Sequence, residues 1–254
     1  MKMNIFDLRN TCTIVTGGAR GIGRKGAEAF VAAGSNVIIA DIDIDTGQKT
    51  AKELETTNSS VIAIRTNVTD PESVHAMVRQ VLNRFSKIDI LFNNAGICIN
   101  EPAETMSFAS WKRVIDINLT GVFLVAQEVG KVMIQQKHGS IINIASMSAH
   151  IVNTPQPQCG YNASKAGVIQ LTKSLAVEWA PYHVRVNSIS PGYIATEMTK
   201  KAPTDWKDEW IKKGVYKRMG NPEELQSALL YFASSASSFT TGSDLVIDGG
   251  FTCV

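Results

Sequence analysis

The sequence predicts an α/β protein, a doubly wound parallel sheet of about seven strands flanked by helices, on three observations. Short β-branched runs alternate with longer segments of helical period through the 254 residues. A glycine-rich stretch stands directly behind the first run, and a carboxylate closes the second. No repeat, low-complexity tract or composition shift divides the chain, so residues 1–254 are expected to form a single domain.

The strand candidates are, in order, "CTIVT" from Cys12, "SNVIIAD" from Ser35, "SVIAIR" from Ser60, "IDILFNNAG" from Ile88, "SIINIAS" from Ser140 and "HVRVNSIS" from His183, with a last one near 243–247. Alternation with helices requires parallel pairing, with both faces of the sheet covered. Two helix starts are marked by chemistry: Asp70 caps ahead of Pro71, and Asn221 caps ahead of Pro222 with Glu224 placed for a capping box. After Ser190 the alternation yields to a Pro-, Gly- and Trp-containing segment, then a helix near 222–235 and the last strand.

With 44% hydrophobic and 19% charged residues the chain can bury a large core. Twenty-five basic against 23 acidic residues leave a charge of +2, which favours neither nucleic acid nor an anionic membrane. The start, "MKMNIFDLRN", lacks an apolar signal core. No apolar run is expected to reach the roughly 18 residues of a membrane span, so a cytoplasmic protein is expected. The four cysteines, Cys12, Cys98, Cys159 and Cys253, form no C-x-x-C pair, and the four histidines show no ligand spacing. Neither a disulfide framework nor a protein-held metal is expected.

"TGGARGIG", Thr16 to Gly23, places Gly17, Gly18, Gly21 and Gly23 around Arg20 and Ile22, between a strand and a helix. Glycines permit a tight turn and close backbone approach, and a helix N-terminus offers free N–H groups to a pyrophosphate. Simple close packing of helix on strand is the other reading of such a loop. Asp41 follows about 20 residues on, where a carboxylate can bond a ribose 2′-hydroxyl and repel a 2′-phosphate, favouring NAD(H) over NADP(H). Arg20, able to reach a 2′-phosphate, is the opposing signal. Further along, "YNASK" sets Tyr161 and Lys165 four residues apart, one above the other if helical. A nearby ammonium favours phenolate and would bring a group of pKa about 10 toward acid/base work.

Taken together, these stretches resemble the short-chain dehydrogenase/reductase family, a Rossmann-type fold, across essentially the whole chain. "TGGARGIG" is similar to its cofactor loop, "NNAG" at Asn93 to Gly96 to its fourth-strand signature and "YNASK" to its Tyr-x-x-x-Lys pair. "INL" around Asn118 falls where the family carries an asparagine, and "PGYIAT", Pro191 to Thr196, resembles its nicotinamide-side loop. The resemblance implies that Tyr161 is the general acid/base, that Lys165 lowers its pKa and holds the nicotinamide ribose, and that Asn118 orders a relay water. Ser146 would polarise the substrate oxygen. It further implies cofactor contacts from Asn94, Ala95, Gly96, Pro191, Gly192, Ile194 and Thr196, with Asn67 and Val68 flanking adenine, where the family more often has Asp. Counting along the strand from Gly139 selects Ser146, whereas counting back from Tyr161 selects Ser148, 13 residues before it. Strand register is the firmer guide, because loops absorb insertions.

The loop "MSAHIVNTPQPQCG" carries His150, Asn153, Gln156 and Gln158, which can pair with substrate hydroxyls or belong to an ordinary exposed loop. Its His150, Asn153 and Gln158, with Ser148 and Trp206, are the candidate substrate contacts; the loop is also similar to the branch of the family acting on sugar alcohols and ketoses, which implies a polyol or ketose substrate. Trp206 and Trp210, four apart, can form the apolar face of a substrate lid over 195–217, anchor that segment, or fill a subunit contact. A 3-oxoacyl thioester reductase, which would prefer NADPH, and an NAD-binding scaffold without turnover are the alternatives. The family resemblance implies a homotetramer.

Overall fold

In the computed structural model, which describes residues 5–254, the seven runs form one sheet: β1 (Cys12–Thr16), β2 (Asn36–Asp41), β3 (Val61–Arg65), β4 (Ile90–Asn93), β5 (Gly139–Ile144), β6 (Val184–Pro191) and β7 (Asp244–Ile247). Residues 1–4 of the N-terminal stretch lie outside the described residues. Every pairing is parallel and the order is β3-β2-β1-β4-β5-β6-β7, with Val15 level with Ile39 on one side and Phe92 on the other. The order reverses between β1 and β4. That switch point opens a crevice at the carboxyl ends of the strands, where ligands of open α/β sheets bind.

Alternate residues on each strand are buried on opposite faces. Val15, Ile39, Phe92 and Ile142 pack with α1 (Gly21–Ala32) and α9 (Gln226–Ala233) through Phe30, Leu229 and Phe232. Ile14, Ile38, Leu91 and Ile141 face α3 (Pro71–Phe85), α5 (Gly121–Gln136) and α6 (Cys159–Trp179) through Met77, Val125, Val129 and Leu175. Each fully buried aliphatic side chain contributes about 1.5–3 kcal/mol. The rigid double layer therefore fixes the crevice floor.

Both expected helix starts form. Asp70 accepts from the Glu72 N–H ahead of Pro71, and Asn221 and Glu224 close a capping box, although Pro222–Leu225 is a 3-10 turn before α9. β4 is shorter than "IDILFNNAG" because the backbone after Asn93 leaves the ladder to meet the loop after β1. One expectation needs correction. The continuous helix Phe108–Gln136 is long and apolar enough, by length and composition, to cross a membrane, with mean hydropathy 1.3 in its most apolar window. Here its Val122, Val125, Val129 and Met133 are fully buried in the protein core. Between α4 (Phe108–Ile115) and α5 it opens into a π-turn, Asp116–Thr120. The segment 195–217 contains α7 (Glu197–Lys200) and α8 (Thr204–Lys213).

Candidate active site

At the end of β1 the chain turns through Gly17 and Gly21, whose φ values of 62° and 55° disfavour side chains. Gly23 is constrained by space: a Cβ there would lie 2.1 Å from the Gly17 carbonyl and 2.6 Å from Asn94 Nδ2. Arg20, at the N-cap of α1, makes no side-chain cap, which leaves first-turn N–H groups for an anion. Ile22 packs on the core beneath. The loop is held from β4: Asn94 Nδ2 donates to the carbonyls of Thr16 (3.0 Å) and Gly17 (3.2 Å), and the backbone N–H groups of Asn94 and Ala95 donate to Thr16 Oγ1. Asn94 is thus spent on shaping the loop.

Asp41 closes β2 with one carboxylate oxygen accepting from the Ala19 N–H (3.0 Å) and the other from the Asp43 N–H (3.0 Å). Arg20 donates to Asp43 and Thr46, each at 2.6 Å, and lies 3.9 Å from the Glu197 carboxylate. Across the crevice, Pro191 ends β6, Gly192 donates to the Ile247 carbonyl, and buried Ile194 bridges to Gly220. The Thr196 methyl would lie 3.7 Å from a Cβ on Gly21, so the two loops face each other. Asn67 Oδ1 is occupied by the Thr69 N–H and hydroxyl, and Val68 packs against Gly121. These residues fit a dinucleotide: uncapped helix N–H groups, a loop with no room for a side chain at Gly23 and an acidic group at the end of β2.

The catalytic candidates converge next to this loop. Ser146 lies two residues beyond β5 and caps a 3-10 turn, Met147–Ala149, by accepting from the Ser148 N–H (3.1 Å). Burial pushes the Tyr161 phenol up to about 12, opposed by a side-chain hydrogen bond from Ser146. Ser148 Oγ instead accepts from Gln158 Nε2 at 3.1 Å. Lys165, 2% exposed, donates to the Ile144 carbonyl (2.7 Å), and burial brings it down to about 8. The expected lowering of the phenol by Lys165 needs correction. The ammonium lies over the Tyr161 ring, 5.8 Å from its centroid, tied to the backbone, and the cost of burying phenolate dominates. Asn118, in the π-turn, is fully buried; its amide clasps both backbone groups of Ile97 (2.9 Å each) and Ser164 Oγ. Gly96 leaves the room: a Cβ there would lie 3.3 Å from Asn118 Oδ1 and 3.6 Å from Lys165 Nζ.

The polar loop is only partly as expected. Asn153, Gln156 and Gln158 are buried, but they bond protein groups. Gln158 also reaches Asn162 Oδ1, and Gln156 and Asn153 both donate to the Tyr193 hydroxyl (2.8 and 3.0 Å). His150 is not among them. Its imidazole pairs with Asp244 on β7 at 2.8 Å, where Ser188 and Ser190 also donate. Of the two tryptophans, Trp210 is the seated one: its ring stacks on Tyr193 (4.1 Å, 9°) and its Nε1 donates to Gln156 Oε1 (2.9 Å). Trp206, one turn earlier, is only partly buried. Tyr193 escaped the sequence reading, though its place within "PGYIAT" was the available signal. Phe251 meets its ring edge-on, and a cavity of about 360 Å³ lies between Tyr193, Trp210, Gly220 and the turn at Asp248–Phe251, apart from Tyr161.

A parallel sheet with a glycine-loop crevice and a serine-tyrosine-lysine cluster at its edge defines a dinucleotide-dependent oxidoreductase. Residues 17–252 match the family model described as enoyl-(acyl carrier protein) reductase. The chain is 41% identical to the sorbose reductase of Candida albicans, over 99% of its own length and 90% of the relative's. It is 42% identical to the ribulose-forming D-arabinitol 2-dehydrogenase of Scheffersomyces stipitis, over 98% and 96%. A crystal structure of a short-chain type dehydrogenase/reductase from Mycobacterium marinum superposes with TM-score 0.96 at 44% identity, covering 99% of each chain. The chain belongs to the short-chain dehydrogenase/reductase family. Its relatives divide by cofactor: a probable mannitol dehydrogenase of Yarrowia lipolytica (39% identical, 99% of this chain and 91% of that one) is named NADP-dependent. A glycerol dehydrogenase of Listeria innocua (38%, 97% and 96%) is named NAD-dependent.

Proposed function

We propose that the protein interconverts a sugar alcohol and its ketose, preferring NAD(H). The observation that carries the reading is the meeting of Ser146 with the Tyr161 phenol beside a glycine loop and an uncapped helix N-terminus. The nicotinamide supplies or takes the hydride. Tyr161 gives its proton to the substrate oxygen in reduction and recovers one in oxidation, while Ser146 donates to that oxygen and stabilises charge on it. With the cofactor bound, Lys165 would hold the nicotinamide ribose, and Asn118, locked on Ile97, would order a relay water beside it. With the phenol near 12, reduction has its proton in place at neutral pH and oxidation gains as pH rises.

The names of the relatives and the buried polar loop after Ser146 support a polyhydroxylated substrate. Asp41, fixed by two N–H groups, and Arg20, engaged by Asp43 and Thr46, support NAD(H). The segment 195–217 is proposed as the lid, with Trp210 as its anchor. Exposed Phe108, Phe123 and Val177 on α4, α5 and α6 support a homotetramer. The test follows reduced-nicotinamide absorbance with each cofactor, across tetritols, pentitols and hexitols and their ketoses, and with acetoacetyl thioester and NADPH. Turnover of a sugar alcohol with NAD is expected; turnover of the thioester alone would establish the 3-oxoacyl reductase reading.

A further inference from the structure

Among the described residues, two buried side-chain polar atoms have no hydrogen-bond partner, Asn143 Oδ1 and Asn153 Oδ1. Leaving a buried polar group unpaired is costly, so each requires a reason. Asn143 lies within β5, its amide otherwise on Thr172. Asn153 lies in the loop between Ser146 and Tyr161, only 3% exposed.

The amide assignments can be reasoned from the one group that is donor only. Trp210 Nε1–H requires an acceptor, so Gln156 turns Oε1 to it (2.9 Å) and Nε2 to the Tyr193 hydroxyl (2.8 Å). Tyr193 then keeps its own proton and one lone pair. Asn153, whose amide nitrogen lies 3.0 Å from that hydroxyl, satisfies it in either orientation. Donating through Nδ2 leaves Oδ1 open; accepting through Oδ1 leaves Nδ2 open. One end of a buried amide stays unpaired both ways. A hydroxyl, donor and acceptor at once, completes either end, whereas a methylene completes neither.

The loop that carries Asn153 is fastened at the chemistry as well as at the lid. Gln158 bonds Ser148, whose own N–H bonds Ser146. Gln156 bonds Trp210 of α8. The orphan amide is therefore suspended between the serine next to Tyr161 and the segment proposed as the lid.

We infer that the open end of the Asn153 amide receives a substrate hydroxyl remote from the reacting carbon, and that Tyr193 is the positioning residue that holds it there; this rests on the sugar-alcohol reading above. A substrate lacking that hydroxyl leaves the amide unpaired, and sites built to bond a hydroxyl reject its absence strongly. The experiment compares kcat/KM for the best sugar alcohol with that for a simple secondary alcohol such as cyclohexanol, in the wild type, Asn153→Leu and Tyr193→Phe. Asn153→Leu should lower the ratio of the two by about tenfold or more, chiefly through KM for the sugar alcohol. Tyr193→Phe, which keeps the stack on Trp210, should lower it in the same sense by less. Thermal melts accompany each variant, and Asn153→Ser carries the same expectation if the leucine variant does not fold. An unchanged ratio, with water as the occupant, overturns the inference, as does an equal loss on both substrates, the mark of a purely structural role. Wild-type turnover of sugar alcohols with an unchanged ratio sinks this inference alone; wild-type turnover of the acyl thioester only sinks the sugar-alcohol reading and this inference with it.

Discussion

The two walls of the crevice, the proposed cofactor wall and the proposed substrate wall, are held by different kinds of bond. On the cofactor wall, Thr16, Asn94 and Asp41 each bond main-chain groups of a neighbouring loop. On the substrate wall the bonds run from side chain to side chain, Gln156 to Trp210 and Tyr193, Gln158 to Ser148. A bond between a side chain and a main-chain group depends on the identity of only one residue, because the backbone group is present whatever the other residue is. Side-chain bonding can be rewritten one residue at a time, which suits a wall that must fit one substrate among many. The proposed cofactor contacts and the proposed substrate contacts thus occupy separate surfaces of one cleft.

That contrast can be broken at three places. The largest effect is expected from Tyr161→Phe, which removes the proposed proton donor at the junction of the walls: kcat/KM should fall by about 10²–10⁴-fold in both directions. Oxidation at the wild-type rate would take the phenol out of the reaction. Next is Gly23→Ala on the cofactor wall, where the new methyl must displace the Gly17 carbonyl. Overpacking of this kind costs about 1–3 kcal/mol, so cofactor Kd, read by fluorescence titration, should weaken by roughly ten- to a hundredfold. Unaltered binding would place the dinucleotide elsewhere.

The smallest expected effect is on stability. Lys165 is held below its usual range, near 8, by burial of its charge. Between that value and the unfolded pKa of 10.5 the unfolded chain binds more protons than the folded one, so this group makes stability rise with pH over that window. Lys165→Met removes the buried charge. Without cofactor it should be more stable than wild type by about 2 kcal/mol near neutral pH, after the lost bond to Ile144 is offset, and the gap should shrink as pH rises above about 8. Melting curves across pH check the sign; a gap that widens with pH would contradict the assigned direction.

Much of the cofactor wall was legible in the sequence because its signals are local. A glycine at position 23 and an aspartate at the end of the second run lie within one βαβ unit, and both stand at the carboxyl ends of the strands beside the glycine turn. Strand register also located Ser146 at the Tyr161 phenol, against the competing count to Ser148. The substrate wall was less legible. His150 has the chemistry of a substrate contact, but Asp244, 94 residues later, claims it. Trp206 and Trp210 share a helix and a residue type; only the position of Tyr193 makes Trp210 the anchor.

The amino-acid sequence by itself determined the parallel sheet, the glycine turn and which side chains are candidates for the chemistry, since period, steric freedom and side-chain chemistry act over a few residues. Only the tertiary structure decided how those groups are tuned. Whether a phenol is stabilised by an ammonium or penalised by burial, and whether an amide is satisfied or left open, depends on the dielectric and the partners that distant segments bring to it.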